Sequence, residues 1–391
     1  MAIPVDPLTG VEAARFGLYV HFPFCLSKCP YCDFASVVAP EVPHDSYADK
    51  ILLELQARAI GRAGRALQSI YIGGGTPSLW KPKHVVRLLE EVRALFVVDA
   101  DAEITLEANP GAADVERFAE LNAAGINRIS IGVQSFQPRT LAALGRAHSP
   151  DEARRAYAAA RAAGFQNVSL DFIYGVHGQT LAEVQADAHE AAALGADHLS
   201  AYALTLDKES LAEEVPLAKQ LSRGEVALPE DEVVTGMQRA VAQEYGATGH
   251  ARYEVSNYAR PGFHSRHNAI YWTGGEYLAI GAGATGFVRE GKGGARYSNP
   301  RSVEKWSGGV PAAEEQLSPA QLFSERVAMG LRLKNGIDVA AACREYREDP
   351  SRRMLLVRQL VHQGLAVEEA GRVRLTERGF DVHSAIAARL M

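Results

Sequence analysis

The sequence predicts an α/β fold: a partial (β/α)6 barrel followed by a small, mostly helical, winged-helix-like C-terminal unit. Three observations predict it. Short apolar runs alternate with amphipathic stretches six times between residues 18 and 204, the pattern of parallel strands joined by helical crossovers. Six units fall short of a closed eight-fold barrel, so the barrel is open. Beyond residue 317 helical periodicity gives way to L-A-V-E-E-A-G-R-V-R-L-T-E-R-G-F, which reads as strand, glycine turn, strand and helix.

The strands are expected at Leu18–Phe22, Ser69–Gly73, Glu103–Ala108, Arg128–Val133, Val168–Ile173 and His198–Leu204, with helices near 46–63, 82–96, 113–124, 139–163 and 181–194. Thr180 with Glu183 three residues on reads as a capping box. Ala-Ala-Gly at 123–125 and 162–164 marks helix ends, where glycine takes the left-handed conformation. A further helix is expected over Leu228–Tyr245. Residues 257–297 mix glycine, aromatic and polar residues as ordered loop and short strands, and Arg301–Gln316 reads as a linker. The organisation is thus an N-terminal segment (1–17), the barrel (18–245), an intermediate region (246–316) and the C-terminal unit (317–391).

Composition excludes several classes. With 41 basic and 47 acidic residues the net charge is −6, so no global basic field invites nucleic acid. No 18-residue apolar run is present for a membrane helix. The start, M-A-I-P-V-D-P-L-T-G, lacks a basic and apolar leader, and a reducing cytoplasmic setting is expected.

Three of only four cysteines, Cys25, Cys29 and Cys32, fall within eight residues as C-x3-C-x2-C. A [4Fe–4S] cube takes one ligand per iron, so three thiolates leave one iron open to a second molecule. A structural zinc site with His21 is the bland alternative, although zinc usually draws on two separated ligand pairs. Cys343 reads as a small buried hydrophobe, Trp80 and Trp306 as packing residues, and His21 and His148 as structural histidines.

In parallel βα barrels reactive groups gather at the C-terminal strand ends. The first strand leads into the cysteine loop. The second leads into Gly73-Gly74-Gly75-Thr76-Pro77, whose glycines allow close backbone approach to a ligand. The others deliver Glu107 and Asn109, Gln134 and Ser135, Asp171, and Tyr202. Together they form a ring of hydrogen-bonding groups on the cluster's face, where Arg146 suits a carboxylate and Tyr31 a purine.

With these motifs in place, C-x3-C-x2-C, G-G-G-T-P, E-A-N-P, G-V-Q-S-F and L-D-F-I-Y-G, the chain resembles the radical S-adenosylmethionine (SAM) superfamily, and within it the HemN/HemW group, over nearly its whole length. The resemblance implies a [4Fe–4S] cluster on Cys25, Cys29 and Cys32. It also implies SAM contacts from Tyr19, Tyr31, Gly74, Gly75, Thr76, Glu107, Gln134, Arg146 and Asp171. The group holds two functions. Its coproporphyrinogen III dehydrogenases carry a fourth cysteine two positions after the third and a longer N-terminal segment. Here that position is Phe34, and 24 residues precede Cys25. Cys32-Asp33-Phe34 is instead the form of the group's haem chaperones. His267-Asn268-Ala269-Ile270-Tyr271-Trp272 matches their H-N-x-x-Y-W signature and nominates His267, Tyr271 and Trp272 for haem. Physically, histidine is a common axial ligand and the two aromatics offer flat apolar area; a core aromatic cluster around a hydrogen-bonded histidine is the alternative. Helical structure would put His267 and Tyr271 on one face. The function implied is haem delivery to apo-haemoproteins such as respiratory cytochromes, with cluster and SAM in a structural or regulatory role that promotes a homodimer. Oxidative decarboxylation of coproporphyrinogen III is the rival.

Overall fold

The computed structural model describes residues 16–111, 115–206 and 215–390. Six parallel strands, β1 (Phe16–Phe22), β2 (Ala66–Gly74), β3 (Val97–Ala108), β4 (Arg128–Gln134), β5 (Asn167–Tyr174) and β6 (His198–Ala203), pair in sequence order. The open barrel expected from the alternation is therefore present. The rest of the N-terminal segment, residues 1–15, lies outside the described residues.

The strands sort their side chains by period two. On the outer face Leu18, Val20, Phe22, Ile70, Ile72, Leu106, Ile129, Ile131, Leu170 and Leu199 are buried in one core with the helices. Fully burying such a side chain is worth about 1.5–3 kcal/mol, which fixes register, since a one-residue slip would turn every one of them inward. The inner face is polar. Tyr19, Tyr71, Glu107, Ser130, Asp171, Ser169 and His198 bond or stack across neighbouring strands.

Several expectations shift on inspection. The helix expected over 139–163 is two, Pro138–Ala143 and Pro150–Ala162. Gly145, at φ +62°, ends the first, and Ser149 opens the second with a capping box ahead of Pro150. Gly125 and Gly164 take the positive φ expected of helix ends, and Thr180 forms its capping box. The short strands expected within residues 257–297 are present, and a helix joins them. The strand pair Ala251–Arg252 and Asn257–Ala259 extends the sheet beyond β6. A helix, Arg266–Thr273, follows. Then Glu276–Ile280 pairs parallel to β1, and Thr285–Glu290 and Gly293–Ser298 continue the sheet antiparallel. The stretch read as a linker holds a short helix, Val303–Ser307, and the edge strand Ala313–Leu317. The sheet has 12 strands in all among the described residues.

The C-terminal unit has its own core around Phe323, Leu331, Val357, Leu375 and Phe380, with the expected hairpin at Ala366–Glu369 and Arg372–Leu375. It is tied to the sheet by Glu254, which is fully buried. That carboxylate accepts from Arg332 at 2.9 Å, the Ser256 amide at 2.7 Å and Asn257 at 2.7 Å. Cys343 is buried in a helix, Trp80 is buried in the main core, and Trp306 packs there while donating to Glu54.

The helix Arg266–Thr273 closes the N-terminal end of the barrel. Ser265 caps it, and the amides of Arg266 and His267 each donate to Glu103 at 3.0 Å. Arg128, 2% exposed, lies 3.9 Å from the same carboxylate. Replacing Glu103 with Ala would leave Arg128 buried without its counter-charge and the helix amides unpaired. Glu103→Ala is expected to lower stability by about 3–5 kcal/mol, and urea unfolding that shows a loss under about 1 kcal/mol would refute this role.

Candidate functional site

The cysteine loop leaves β1 at Phe22 and is braced from several sides. Phe24–Cys25 pairs with Val37–Val38, the Thr76 amide donates to the Phe24 carbonyl at 2.9 Å, and Leu217 donates to Pro30 O at 2.8 Å. Arg301 donates to the Asp33 carbonyl. His21 bridges the Tyr19 hydroxyl and the Ala35 carbonyl, each at 2.8 Å, so it is the structural histidine expected and no partner of the thiols. Gly145 approaches this loop so closely that a Cβ there would lie 2.5 Å from Pro30 Cδ.

Cys25, Cys29 and Cys32 are all half-buried with free thiols. Burial pushes the Cys25 and Cys32 thiols up, partly opposed by hydrogen bonds from Thr76 and from around Phe34. Thr76 Oγ1 stands 3.5 Å from Cys25 Sγ, and Arg146 Nη1 stands 3.6 Å from Cys29 Sγ. Donors and a guanidinium aimed at sulfur suit thiolates that carry charge on a cluster. Among the described residues no group of three or more His, Cys, Asp or Glu converges tightly enough for a single metal ion.

Around the loop the nominated residues fall into two tiers. Thr76, Arg146 and Cys29 line a cavity of about 220 Å³ together with Asn109, Leu26, Leu79 and His148. Asn109, placed in the strand-end ring by the sequence but not among the SAM contacts, joins them: it donates to Thr76 at 3.0 Å and accepts from Arg146 at 2.7 Å. Tyr31 sits beside Arg146, its hydroxyl pushed up by burial. His148 donates from Nε2 to the Val133 carbonyl at 2.9 Å and is structural, though it lines the cavity.

The second tier lies in the barrel. Glu107 accepts from the Gly74 amide at 3.0 Å and from the Tyr71 hydroxyl at 2.7 Å. Burial pushes its carboxyl up to about 7, although both hydrogen bonds favour the ionised form. Asp171 accepts from Ser130 at 2.7 Å and Ser169 at 3.1 Å. Gly74 is at φ +117°, and a Cβ there would lie 2.6 Å from the His21 ring; a Cβ at Gly75 would lie 2.8 Å from the Phe24 carbonyl. Gln134 is one of three non-glycine residues at positive φ among the described residues, at +68°, a strained strand end of the kind found at binding sites. Tyr19 stacks on Tyr71 at 6.2 Å, and Tyr202 is 40% exposed at the end of β6.

The residues nominated for haem stand elsewhere, at the closed N-terminal end. The segment is helical, and His267 and Tyr271 do share a face, with Nε2 2.7 Å from the Tyr271 hydroxyl. His267 Nδ1 is 2.8 Å from Ser69 Oγ, and the ring stacks on Tyr71 at 5.1 Å. It is 1% exposed. Burial first, and Arg128 second, hold its pKa down to about 3, so the imidazole is neutral, the form that ligates metal. Trp272 turns the other way, under Arg332 at 4.5 Å, against the C-terminal unit. Sequence reasoning overlooked Ser69, Tyr71, Glu103 and Arg128. The alternation Ser69-x-Tyr71-x-Gly73 and Glu103-x-Thr105-x-Glu107 was the signal that could have found them.

A family model described as the radical SAM superfamily matches residues 19–191, and one described as the HemN C-terminal domain matches 317–382. The chain is 37% identical over 401 residues to "Heme chaperone HemW" of Mycobacterium tuberculosis (strain ATCC 25618 / H37Rv), covering 100% of this chain and 98% of that one. It is 42% identical over 279 residues to "Heme chaperone HemW" of Escherichia coli (strain K12), covering 71% of each. Among solved structures it superposes on coproporphyrinogen III oxidase (HemN) from Escherichia coli with a TM-score of 0.80 at 20% identity, over 98% of this chain and 92% of that one. That last likeness shows a shared fold.

Glu107 yields a prediction in the protein without bound groups. Its folded pKa of about 7 lies above the ordinary 4.5. The stability it contributes is therefore full below about 4.5 and is lost as pH rises through about 7. Glu107→Gln keeps one acceptor, for the Gly74 amide, turns its NH2 toward the Tyr71 oxygen, and cannot ionise. Between pH 5 and 8 the wild type should lose roughly 2 kcal/mol more than Glu107→Gln. Parallel chemical denaturation curves at the two pH values check this, and equal losses would contradict it.

Proposed function

The chain belongs to the HemW family of radical SAM proteins, and from that premise we propose that it binds haem and passes it to apo-haemoproteins. The observation that carries this reading is the likeness to heme chaperones along the entire chain, at 37% identity over 401 residues. The helical H-N-x-x-Y-W segment, with a neutral histidine facing a tyrosine hydroxyl, supports it.

In this reading Cys25, Cys29 and Cys32 hold a [4Fe–4S] cluster whose fourth iron is left for SAM; bound, the cluster supplies one-electron chemistry. The residues around it orient SAM. Arg146, anchored on Asn109 and the Gly132 carbonyl, suits its carboxylate. Glu107 and Asp171 suit its amine and ribose hydroxyls, Tyr31 its adenine, and Tyr19, Gln134 and Thr76 complete the shell. Gly74 and Gly75, where side chains would collide with the His21 ring and the Phe24 carbonyl, offer it bare backbone. Haem is cargo and goes to His267, Tyr271 and Trp272. Recipients are apo-haemoproteins of the respiratory-cytochrome kind, the working unit is a homodimer, and the setting is the cytoplasm. Among the described residues no helix is long and apolar enough to cross a membrane.

Anaerobic reconstitution should give about four irons per chain and broad visible absorbance, both lost in Cys29→Ala. Haem titration should show binding that falls at least about tenfold in His267→Ala, a change of about 1.4 kcal/mol. Unchanged binding would remove His267 as the ligand. Turnover of coproporphyrinogen with SAM and a reductant would overturn the chaperone reading in favour of the decarboxylase.

A further inference from the structure

The ring of His267 is held on every side, and the two sides differ in kind. Its Nδ1 edge faces Ser69 Oγ at 2.8 Å in a closed corner. A Cβ added to Gly17 would lie 2.7 Å from Ile270 Cδ1, 3.0 Å from Ser69 Oγ and 3.3 Å from His267 Nδ1. No group larger than a hydrogen fits there. Its Nε2 edge faces the Tyr271 hydroxyl at 2.7 Å, and Tyr271 is only half-buried. The ring plane is set by Tyr71, stacked at 5.1 Å and 28°, while Tyr271 meets it edge-on at 5.0 Å and 89°. The backbone beneath is fixed by Glu103 through the amides of Arg266 and His267.

Resting on the haem reading above, we propose that Ser69 is the positioning residue for His267, and that Nε2 is the atom offered to haem iron in exchange for the Tyr271 hydroxyl. A ligating histidine is oriented by the partner of its other ring nitrogen, which also fixes the tautomer. Ser69 is that partner. It accepts from Nδ1–H, which leaves the Nε2 lone pair free to accept from Tyr271. Ligation then needs no movement of the imidazole. The Tyr271 side chain swings away, the O–H···Nε2 hydrogen bond breaks, the Nε2–iron bond forms, and no proton is transferred. Tyr271 is thus a competitor for Nε2 in the haem-free protein and a contact for the macrocycle only after it has moved.

The test uses the full-length protein, haemin as the probe, and Tyr271→Phe, Ser69→Ala and His267→Ala. Phe at 271 removes the competing hydroxyl and keeps the ring. It should bind haemin about fivefold more tightly, the size of one net hydrogen bond, with the histidine–iron signature in resonance Raman and electron paramagnetic resonance spectra unchanged. Ser69→Ala should weaken binding and shift that signature. Weaker binding in Tyr271→Phe, or a wild-type signature in Ser69→Ala, would overturn the proposal. Nitrogen-15 spectra of the His267 ring in haem-free protein separate this failure from that of the haem reading. The expected state is protonated at Nδ1 in the wild type and redistributed in Ser69→Ala. An Nε2-protonated ring in the wild type would overturn the positioning role whether or not haem binds. If the tautomer is as expected but His267→Ala binds haemin as the wild type does, the haem assignment falls and takes the ligand-exchange proposal with it.

Discussion

A polar barrel interior is the constraint on which the rest of the structure depends. The outward faces of the six strands are apolar and packed, so the inward positions carry the tyrosines, carboxylates, hydroxyls and Arg128. Buried polar groups cost several kcal/mol each unless they are paired. The pairing here is mutual: Tyr71 with Glu107, Ser130 with Asp171, Ser169 with His198. At the N-terminal end neighbouring strands cannot supply enough partners, and the helix Arg266–Thr273 does so instead. Its first amides meet Glu103, which stands against Arg128, and its histidine meets Ser69. An anion at a helix N-terminus is favoured by the helix dipole as well. The H-N-x-x-Y-W segment is therefore part of what makes the barrel foldable, whatever else it binds.

This double duty links the two ends. Tyr71 is the shared residue: its ring lies on His267 and its hydroxyl donates to Glu107, which also accepts from the Gly74 amide. Three side chains thus run from the glycine loop beside the thiols down to the closing helix.

The strands, the cysteine loop and the strand-end residues were legible in the sequence because each rests on a local signal. Period-two apolar runs gave the strands, Thr180 and the Ala-Ala-Gly ends gave the helix limits, and spacing gave the thiols. What stayed hidden depends on contacts distant in sequence. Nothing near Ser69 announces a partner 198 residues on, and nothing near Glu103 announces the amides of residues 266 and 267. Of the sheet extension over 276–317, the edge strand Ala313–Leu317 was hidden in a stretch that reads as linker; its pairing with Gly293–Ser298, rather than its own propensity, makes it a strand. The long helix at 139–163 failed for the opposite reason. Helical periodicity carries across Gly145, but Gly145 leaves the helix with a positive φ and packs against Pro30. A break that a continuous pattern concealed is what brings Arg146 to Cys29.

The placement of the two nominated sites bears on which chemistry the fold is built for. The thiols follow the end of β1, while His267 touches Gly17 and Ser69 near the starts of β1 and β2. Five residues of β1 separate these levels, about 17 Å at the usual strand rise. A decarboxylase must bring its substrate's reacting carbon within contact of the radical formed at the cluster face, because hydrogen abstraction acts at contact distance. A cargo held by His267 would stand a barrel's depth away, with Tyr71 and Glu107 between. Under the haem reading, such separation would keep the cargo clear of the reactive centre, as a carrier requires.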